Sequence, residues 1–175
     1  MDNNVVMSLG SALAQESIVA FMFNFRGVGG SQGSFGGGIA EQEDTSAAIS
    51  WAISQSEADS NRLGLLGYSF GAAVALPVAG ADVRVKAVAL ISMPASQVQM
   101  SQLRQCAKPK LIICGTDDTV VPLEQAQLMS REAAEPKQFE FISGADHIWW
   151  GYEEKLANKV VAFFKDKLGI LSTKS

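Results

Sequence analysis

The chain has 175 residues and a net charge of −4, with 47% hydrophobic and 18% charged residues. This length and composition suit a single globular domain over residues 1–175 and exclude a disordered chain. No basic stripe or cluster favours nucleic acid or an anionic membrane surface as a partner.

The sequence indicates a cytoplasmic protein. No run reaches the roughly 18 apolar residues of a membrane-spanning helix. Residues 1–15 lack the basic and apolar regions of a secretory signal peptide. Cys106 and Cys114 are too close in sequence for a convincing disulfide, and Cys114 lies in an apolar run typical of a buried free thiol. We therefore expect a reducing compartment.

Predicted strands and helices alternate along the chain. In chain order they are a helix at 3–15, a strand at 18–24, a helix at 40–55, a strand at 62–68, a helix from 70 that stops near Pro77 to Gly80, a strand at 83–92, a strand at 109–115, a helix at 123–134, a strand at 138–142 and a helix at 152–168. The last strand alternates polar and apolar residues, as a half-exposed edge strand does. This alternation predicts an α/β fold, with a mostly parallel sheet and helices on both faces.

Two stretches fit the G-x-S-x-G pattern of a serine nucleophile, at residues 29–33 and 67–71. The chemistry requires a sharp strand-to-helix turn, with glycines where strand and helix approach. Ser69 follows an apolar strand and precedes a helix of small residues, whereas Ser31 lies in a glycine-rich loop. We expect Ser69 to be the nucleophile, and the N–H of Phe70 to face a developing oxyanion.

A serine nucleophile requires a base and an acid that orients it. His147 is the single histidine of the chain and follows the last predicted strand. Asp117 and Asp118 follow the preceding strand, so either carboxylate could meet the imidazole. The order Ser…Asp…His is that of one hydrolase fold and differs from the orders of chymotrypsin and subtilisin.

Several further motifs carry a family resemblance. They are "NFRGVGGSQG" after a strand, "E-x-E-D" at 41–44, "GYSFGA", "G-x-x-D-x-x-V-P" and "DH". With them the chain resembles the α/β-hydrolase superfamily, most closely its small lidless bacterial serine hydrolases akin to dienelactone hydrolases. The resemblance implies that Asp118 is the acid rather than Asp117, that no cofactor or metal is needed, and that the loop around Ser31 shapes the floor of the site. It leaves Arg26 either paired with Asp44 or solvated.

One departure from the family pattern concerns the oxyanion hole. In the family a strand and an H-G or G-G loop precede the first helix, and this loop supplies a second oxyanion N–H. The printed sequence begins with "MDNN", where that helix should start. We therefore expect an N-terminally shortened α/β-hydrolase fold in which only Phe70 can be identified as an oxyanion donor. Strands 18–24 and 62–68 should then flank a slot, or else pair directly; we favour the slot.

The expected function is hydrolysis of a small carboxylic ester or thioester through an acyl-enzyme. About 16 residues separate the strands ending at 92 and starting near 109, too few for a lid domain. Met93, Trp149 and Trp150 are predicted to contact substrate, although the tryptophans could instead anchor the last helix.

Two other classes of function are compatible with the sequence. A catalytically impaired binding protein would keep the fold but lack the second oxyanion donor. A nucleotide-binding protein would use "GVGGSQG" to hold a pyrophosphate. Its spacing is G-x-G-x-x-x-G, however, and no helix follows at once.

Overall fold

A computed structural model describes residues 3–170 of the protein. The elements in chain order are α1 (Asn4–Gln15), α2 (Ala40–Ile53), β1 (Leu63–Tyr68), α3 (Phe70–Ala81), β2 (Val85–Ile91), α4 (Gln97–Gln105), β3 (Lys110–Gly115), α5 (Leu123–Glu132), β4 (Lys137–Ile142) and α6 (Glu153–Lys167). The ends of the predicted domain, residues 1–2 and 171–175, lie outside this range. Among the described residues, no helix combines the length and hydropathy that crossing a bilayer requires.

The four strands form one parallel sheet in the order β1-β2-β3-β4. Each strand therefore pairs with the next one in sequence, and a helix connects each pair. This arrangement confirms the predicted α/β class. It also confirms that β4 is an edge strand, whose residues are mostly half-buried or exposed.

Helices cover both faces of the sheet. Along β2, Val88 and Leu90 belong to one apolar cluster, whereas Ala89 and Ile91 belong to another. The first cluster includes residues of α2 to α5, and the second includes residues of α1 and α6. Strands buried on both faces explain why the middle of the chain reads as continuous apolar runs.

The prediction of a strand at 18–24 is wrong. Residues 18–25 have no regular secondary structure. An apolar run indicates that a segment packs against the domain, but a strand also requires a hydrogen-bonded partner strand. This segment packs through its side chains and has no such partner among the described residues. Ile18 and Ala20 pack against the α1/α6 cluster, and the ring of Phe21 lies 4.4 Å from that of Trp51.

Direct pairing of 18–24 with 62–68 is also absent. Within residues 3–170, β1 pairs only with β2, so its other edge has no strand neighbour. The favoured alternative of a slot flanked by two strands is not shown as such, because residues 18–24 form no strand; only its expectation that no ladder joins the two segments agrees with this arrangement.

Two helical features depart from the sequence-based predictions. The helix α4 was not predicted; it begins at a capping box formed by Ser96 and Gln99. The helix α3 does not stop near Pro77 but runs through it to Ala81. A proline inside a helix removes one backbone hydrogen bond, a cost that burial of α3 against β1 and β2 offsets here.

Candidate active site

Ser69 occupies a sharp turn between β1 and α3. Its φ of 52° and ψ of −120° lie outside the conformations that a non-glycine residue ordinarily adopts. The turn is held by backbone hydrogen bonds: the N–H of Ser69 donates to the carbonyl of Ile91 at 2.8 Å, and the N–H of Ala72 donates to the carbonyl of Ser69 at 3.0 Å. A side chain at Gly67 would lie 2.5 Å from the Cα of Ala72, so glycine is required where strand and helix approach.

The imidazole of His147 lies between Ser69 and Asp118. The Oγ of Ser69 is 2.8 Å from Nε2, and Nδ1 is 3.0 and 2.9 Å from the two carboxylate oxygens of Asp118. Because a carboxylate only accepts, Nδ1 carries the proton and Nε2 is free to accept the hydroxyl proton of Ser69. These contacts match the orientation expected from sequence.

Of the two neighbouring aspartates, only Asp118 meets the histidine. The side chain of Asp117 is exposed, and its Oδ1 accepts the hydroxyl of Thr116 at 2.8 Å. The side chain of Asp118 is fully buried, whereas that of His147 keeps 17% of its surface exposed. The acid is therefore enclosed and the base is accessible from solvent.

The carboxylate of Asp118 is fixed from behind as well as by the imidazole. Its Oδ1 accepts the backbone N–H groups of Val120 and Val121 at 2.9 and 2.8 Å. A buried carboxylate needs such donors to replace its lost hydration. These two bonds hold the plane of the carboxylate towards His147.

The loop that carries His147 is attached to the sheet at two points. The hydroxyl of Tyr68 donates to the carbonyl of His147 at 2.7 Å. The indole Nε1 of Trp149 donates to the hydroxyl of Ser92 at 3.0 Å, and the backbone N–H of Trp149 donates to Asp146 at 2.8 Å. Neither Tyr68 nor Ser92 is among the residues expected from sequence at this site; the signal for both is a polar side chain at the carboxyl end of a strand.

Buried groups around the site keep their protons. Burial, with the charges of Asp118 and Asp146 adding to it, raises the pKa of Tyr68, so its hydroxyl stays a donor. Burial, with a smaller effect from Asp118, raises the pKa of Cys114 to about 12. That thiol is therefore no competing nucleophile.

The three residues predicted to contact substrate differ in how much of their surface is exposed. Met93 and Trp149 are completely buried in the two apolar clusters, and Trp150 is 76% exposed. A side chain without accessible surface offers no contact to a substrate, so the prediction is not supported for Met93 and Trp149. For Trp150 it stays a prediction. The buried Trp149 matches the alternative role of an anchor.

The G-x-S-x-G stretch at residues 29–33, which contains Ser31, lies in a loop, as expected. The hydroxyl of Ser31 donates to the carbonyl of Asn24 at 3.0 Å. Nearby, the guanidinium of Arg26 pairs with Asp44 at 2.7 Å and with Glu43 at 3.2 Å. Arg26 is therefore paired rather than solvated. Its partners are carboxylates of α2 and not Ser31, so it does not activate Ser31 as a nucleophile.

Several backbone donors of the glycine-rich loop bond within the loop or to the adjoining helix α2. The N–H of Gly27 donates to the carbonyl of Gln32, and that of Ser31 donates to the carbonyl of Val28. The buried carboxylate of Glu41 accepts the N–H groups of Gly36 and Gly38 at 2.6 and 2.7 Å. These donors are not turned outward as a pyrophosphate cradle would require. Over residues 3–170, no group of three or more His, Cys, Asp or Glu side chains could hold a metal ion.

Comparison with protein families agrees with this geometry. The model of a family described as X-Pro dipeptidyl-peptidase (S15 family) matches residues 6–159. An uncharacterized protein of Rickettsia prowazekii is 30% identical over 157 residues, which are 85% of this chain and 66% of that protein. An uncharacterized Mycobacterium tuberculosis protein is 29% identical over 169 residues. The chain spans 59% of its length.

Solved structures share the fold. An alpha-beta serine hydrolase homologue from Coxiella burnetii is 35% identical with a TM-score of 0.84, covering 93% of this chain and 76% of its own. A serine hydrolase without a lid from Xanthomonas campestris is 27% identical with a TM-score of 0.83, covering 100% of this chain and 77% of its own. The elements that position Ser69 and His147 therefore lie within a fold shared with serine hydrolases.

Proposed function

Because the chain belongs to the X-Pro dipeptidyl-peptidase (S15) family and has the α/β serine hydrolase fold, we propose that it cleaves a carboxylic ester or thioester through an acyl-enzyme on Ser69. The observation that carries the proposal is the pair of contacts made by His147, at 2.8 Å to the Oγ of Ser69 and at 2.9 Å to Asp118. A hydroxyl with a base in reach, and a base with an orienting acid, is the arrangement that nucleophilic catalysis requires.

The first half-reaction forms the acyl-enzyme. As Ser69 Oγ attacks the carbonyl carbon of the substrate, Nε2 of His147 accepts its proton and Asp118 stabilises the resulting imidazolium. The carbonyl oxygen becomes an oxyanion. When the tetrahedral intermediate collapses, the bond to the leaving group breaks, and His147 returns the proton to the departing alcohol or thiol.

The second half-reaction releases the acid. A water molecule takes the position of the leaving group and loses a proton to Nε2 of His147 as it attacks the acyl carbon. The new tetrahedral intermediate then expels Ser69, which recovers its proton from the imidazolium. The 17% of the His147 side chain that is exposed gives water access to the base.

The backbone N–H of Phe70 is the proposed oxyanion donor. Phe70 is the first residue of α3, and no side chain caps this helix end. The N–H groups of the first turn of a helix lack intrahelical partners and attract negative charge. Ala72 and Ala73 donate to the carbonyl of Ser69, and the N–H of Phe70, which precedes them, is the donor proposed for the oxyanion.

The proposed substrate is a small molecule that reaches an open site. Between β2 and β3 the chain forms the single short helix α4, and no lid domain intervenes. Both esters and thioesters present a carbonyl and a good leaving group to Ser69. Trp150, which is exposed and lies three residues after His147, is proposed as a substrate contact. No nucleic acid, membrane or cofactor takes part in this proposal, and we propose a cytoplasmic location.

Hydrolysis of p-nitrophenyl esters by matched variants tests the proposed function. The wild-type chain should release p-nitrophenol from short-chain esters, and Ser69→Ala should abolish this activity. Ser31→Ala is the matched control because Ser31 lies in the other G-x-S-x-G stretch; it should retain activity. An X-Pro p-nitroanilide, tested in parallel, asks whether the family's namesake peptide chemistry is also present.

A catalytically impaired hydrolase-fold binding protein is the alternative. It would keep the same fold and the same contacts of His147, but no ester or thioester would be turned over. Equal activity of wild type and Ser69→Ala would likewise contradict the proposal, because turnover would then arise elsewhere.

A further inference from the structure

We propose that Tyr68 is a positioning residue, whose hydroxyl fixes the main chain of His147 and thereby aligns the base with the nucleophile. This inference rests on the proposed function, since alignment matters only if Ser69 is attacked through His147. It concerns a residue that takes no part in the proposed proton transfer between Ser69, His147 and Asp118.

Tyr68 and His147 close a ring of contacts around the nucleophile. Tyr68 directly precedes Ser69 in the chain, and its hydroxyl donates to the carbonyl of His147 at 2.7 Å. The side chain of His147 returns to the Oγ of Ser69 at 2.8 Å. The two ring centroids are 5.5 Å apart. Base and nucleophile are thus joined twice, once through side chains and once through Tyr68.

The hydroxyl of Tyr68 bonds to a backbone atom, which suits a role in positioning the loop that carries His147. The carbonyl it binds belongs to the backbone of the loop that follows β4, far along the chain from β1. Burial raises the pKa of Tyr68 above its ordinary value, so near neutral pH the phenol is protonated and donates to the carbonyl of His147. The hydroxyl thereby ties the loop carrying the base to the strand carrying the nucleophile.

A second attachment lies on the neighbouring strand. Ile91 accepts the N–H of Ser69 at 2.8 Å, and Ser92 accepts the indole N–H of Trp149 at 3.0 Å. Ser69 is therefore bound to Ile91, and the loop that carries His147 is bound to Ser92, the next residue along the chain. Trp149 restrains the loop on one side of His147, while Tyr68 restrains the carbonyl of His147 itself.

This geometry has a defined consequence for the rate. A reacting pair held at 2.8 Å loses much of its effective concentration when one partner gains freedom, and a displacement of about 1 Å can lower turnover roughly a hundredfold. Removing only the Tyr68 hydroxyl leaves the ring and its packing in place. We therefore expect a smaller loosening of His147, with kcat reduced about tenfold and KM within about twofold.

The test compares Tyr68→Phe with Tyr152→Phe. The chain has two tyrosines, and Tyr152 precedes α6, where its hydroxyl lies against Gly144. Four quantities are measured for each variant: kcat and KM with a p-nitrophenyl ester, the thermal midpoint, and the proton resonance of the imidazole N–H. Because His147 is the single histidine, selective 15N labelling of histidine assigns that resonance without ambiguity.

The expected result is a lower kcat and a shifted or broadened imidazole N–H resonance in Tyr68→Phe, at an unchanged KM and thermal midpoint. Tyr152→Phe should resemble wild type in all four. Equal kcat and equal resonances in the two variants would overturn the proposal. A large loss of folded protein in Tyr68→Phe would also overturn it, because the hydroxyl would then serve stability rather than alignment.

Failure of the proposed function can be told apart from failure of this inference. If wild type turns over no ester, the proposed function fails, and the imidazole resonance alone decides the role of Tyr68. A resonance that changes in Tyr68→Phe and not in Tyr152→Phe supports positioning of His147. An unchanged resonance contradicts it.

Discussion

Asp118 meets His147 with both carboxylate oxygens, at 3.0 and 2.9 Å from Nδ1, and the same Oδ1 accepts the N–H groups of Val120 and Val121. The carboxylate of Asp118 is thus held by backbone N–H groups of its own loop in the orientation in which it meets His147. Asp117, its neighbour in sequence, is exposed and faces Thr116 instead. This difference between adjacent residues allows a matched comparison.

Asp118→Asn should reduce kcat by roughly a thousand- to ten-thousandfold, because an amide at this position no longer selects the tautomer with a proton on Nδ1 or stabilises the imidazolium. The amide oxygen can still accept from Val120 and Val121, so the variant should fold. Asp117→Asn is the control and should be close to wild type. Ester hydrolysis and thermal melting of the two variants check this; comparable losses in both would contradict the assignment.

Gly67→Ala should destabilise the protein by about 1–3 kcal/mol, because the added methyl group would press on the backbone of Gly71 and Ala72 across the turn at Ser69. Gly80→Ala is the matched control. Nothing lies within 4 Å of a side chain added there, near the end of α3, and alanine should raise stability by up to about 1 kcal/mol.

Urea unfolding of both glycine variants measures these changes. The close approach of β1 and α3 at Gly67 requires that Gly67→Ala lowers the free energy of unfolding, whereas Gly80→Ala raises it. A Gly67→Ala protein as stable as wild type would mean that β1 and α3 can separate without cost.

Asp44→Asn should lower the thermal midpoint near neutral pH and have little effect in acid. The hydrogen bond from Arg26, chiefly, holds the pKa of Asp44 below its usual range. A depressed carboxylate pKa contributes stability above its unfolded value of about 3.9, and this contribution is lost as pH falls through the folded value. The gap between wild type and Asp44→Asn should therefore close as pH falls below about 4.

Thermal melts across acid and neutral pH measure that gap. Glu43→Gln provides the control, since Glu43 also contacts Arg26 but its side chain is 80% exposed, where an ion pair contributes little. A gap that stays constant down to the lowest pH at which the protein folds would contradict the role given to the Asp44 pair.

The sheet class and the sharp turn at Ser69 could be predicted from the sequence because both depend on local patterns. The residues around Ser69 combine an apolar strand, a required glycine and a small-residue helix within a short stretch. Asp118 could be distinguished from Asp117 only through family resemblance. Its spacing alone did not show which carboxylate was buried.

The errors arose where distant partners decide the outcome. Residues 18–24 are apolar, but the absence of a pairing strand cannot be read from them. Met93 was expected at the site because it follows a strand, whereas the structure buries it in the core. The helix α4 is mostly polar, so periodicity missed it, although the S-x-x-Q capping box at Ser96 and Gln99 was available in the sequence.

Labelling with a fluorophosphonate probe, followed by peptide mass spectrometry, tests the central claim most directly. The probe traps the nucleophile that a histidine base activates. We predict a single phosphonyl adduct on the peptide containing Ser69, none on that containing Ser31, and no labelling of Ser69→Ala. An adduct on another serine, or no adduct on the folded wild-type chain, would contradict the claim that Ser69 is an activated nucleophile.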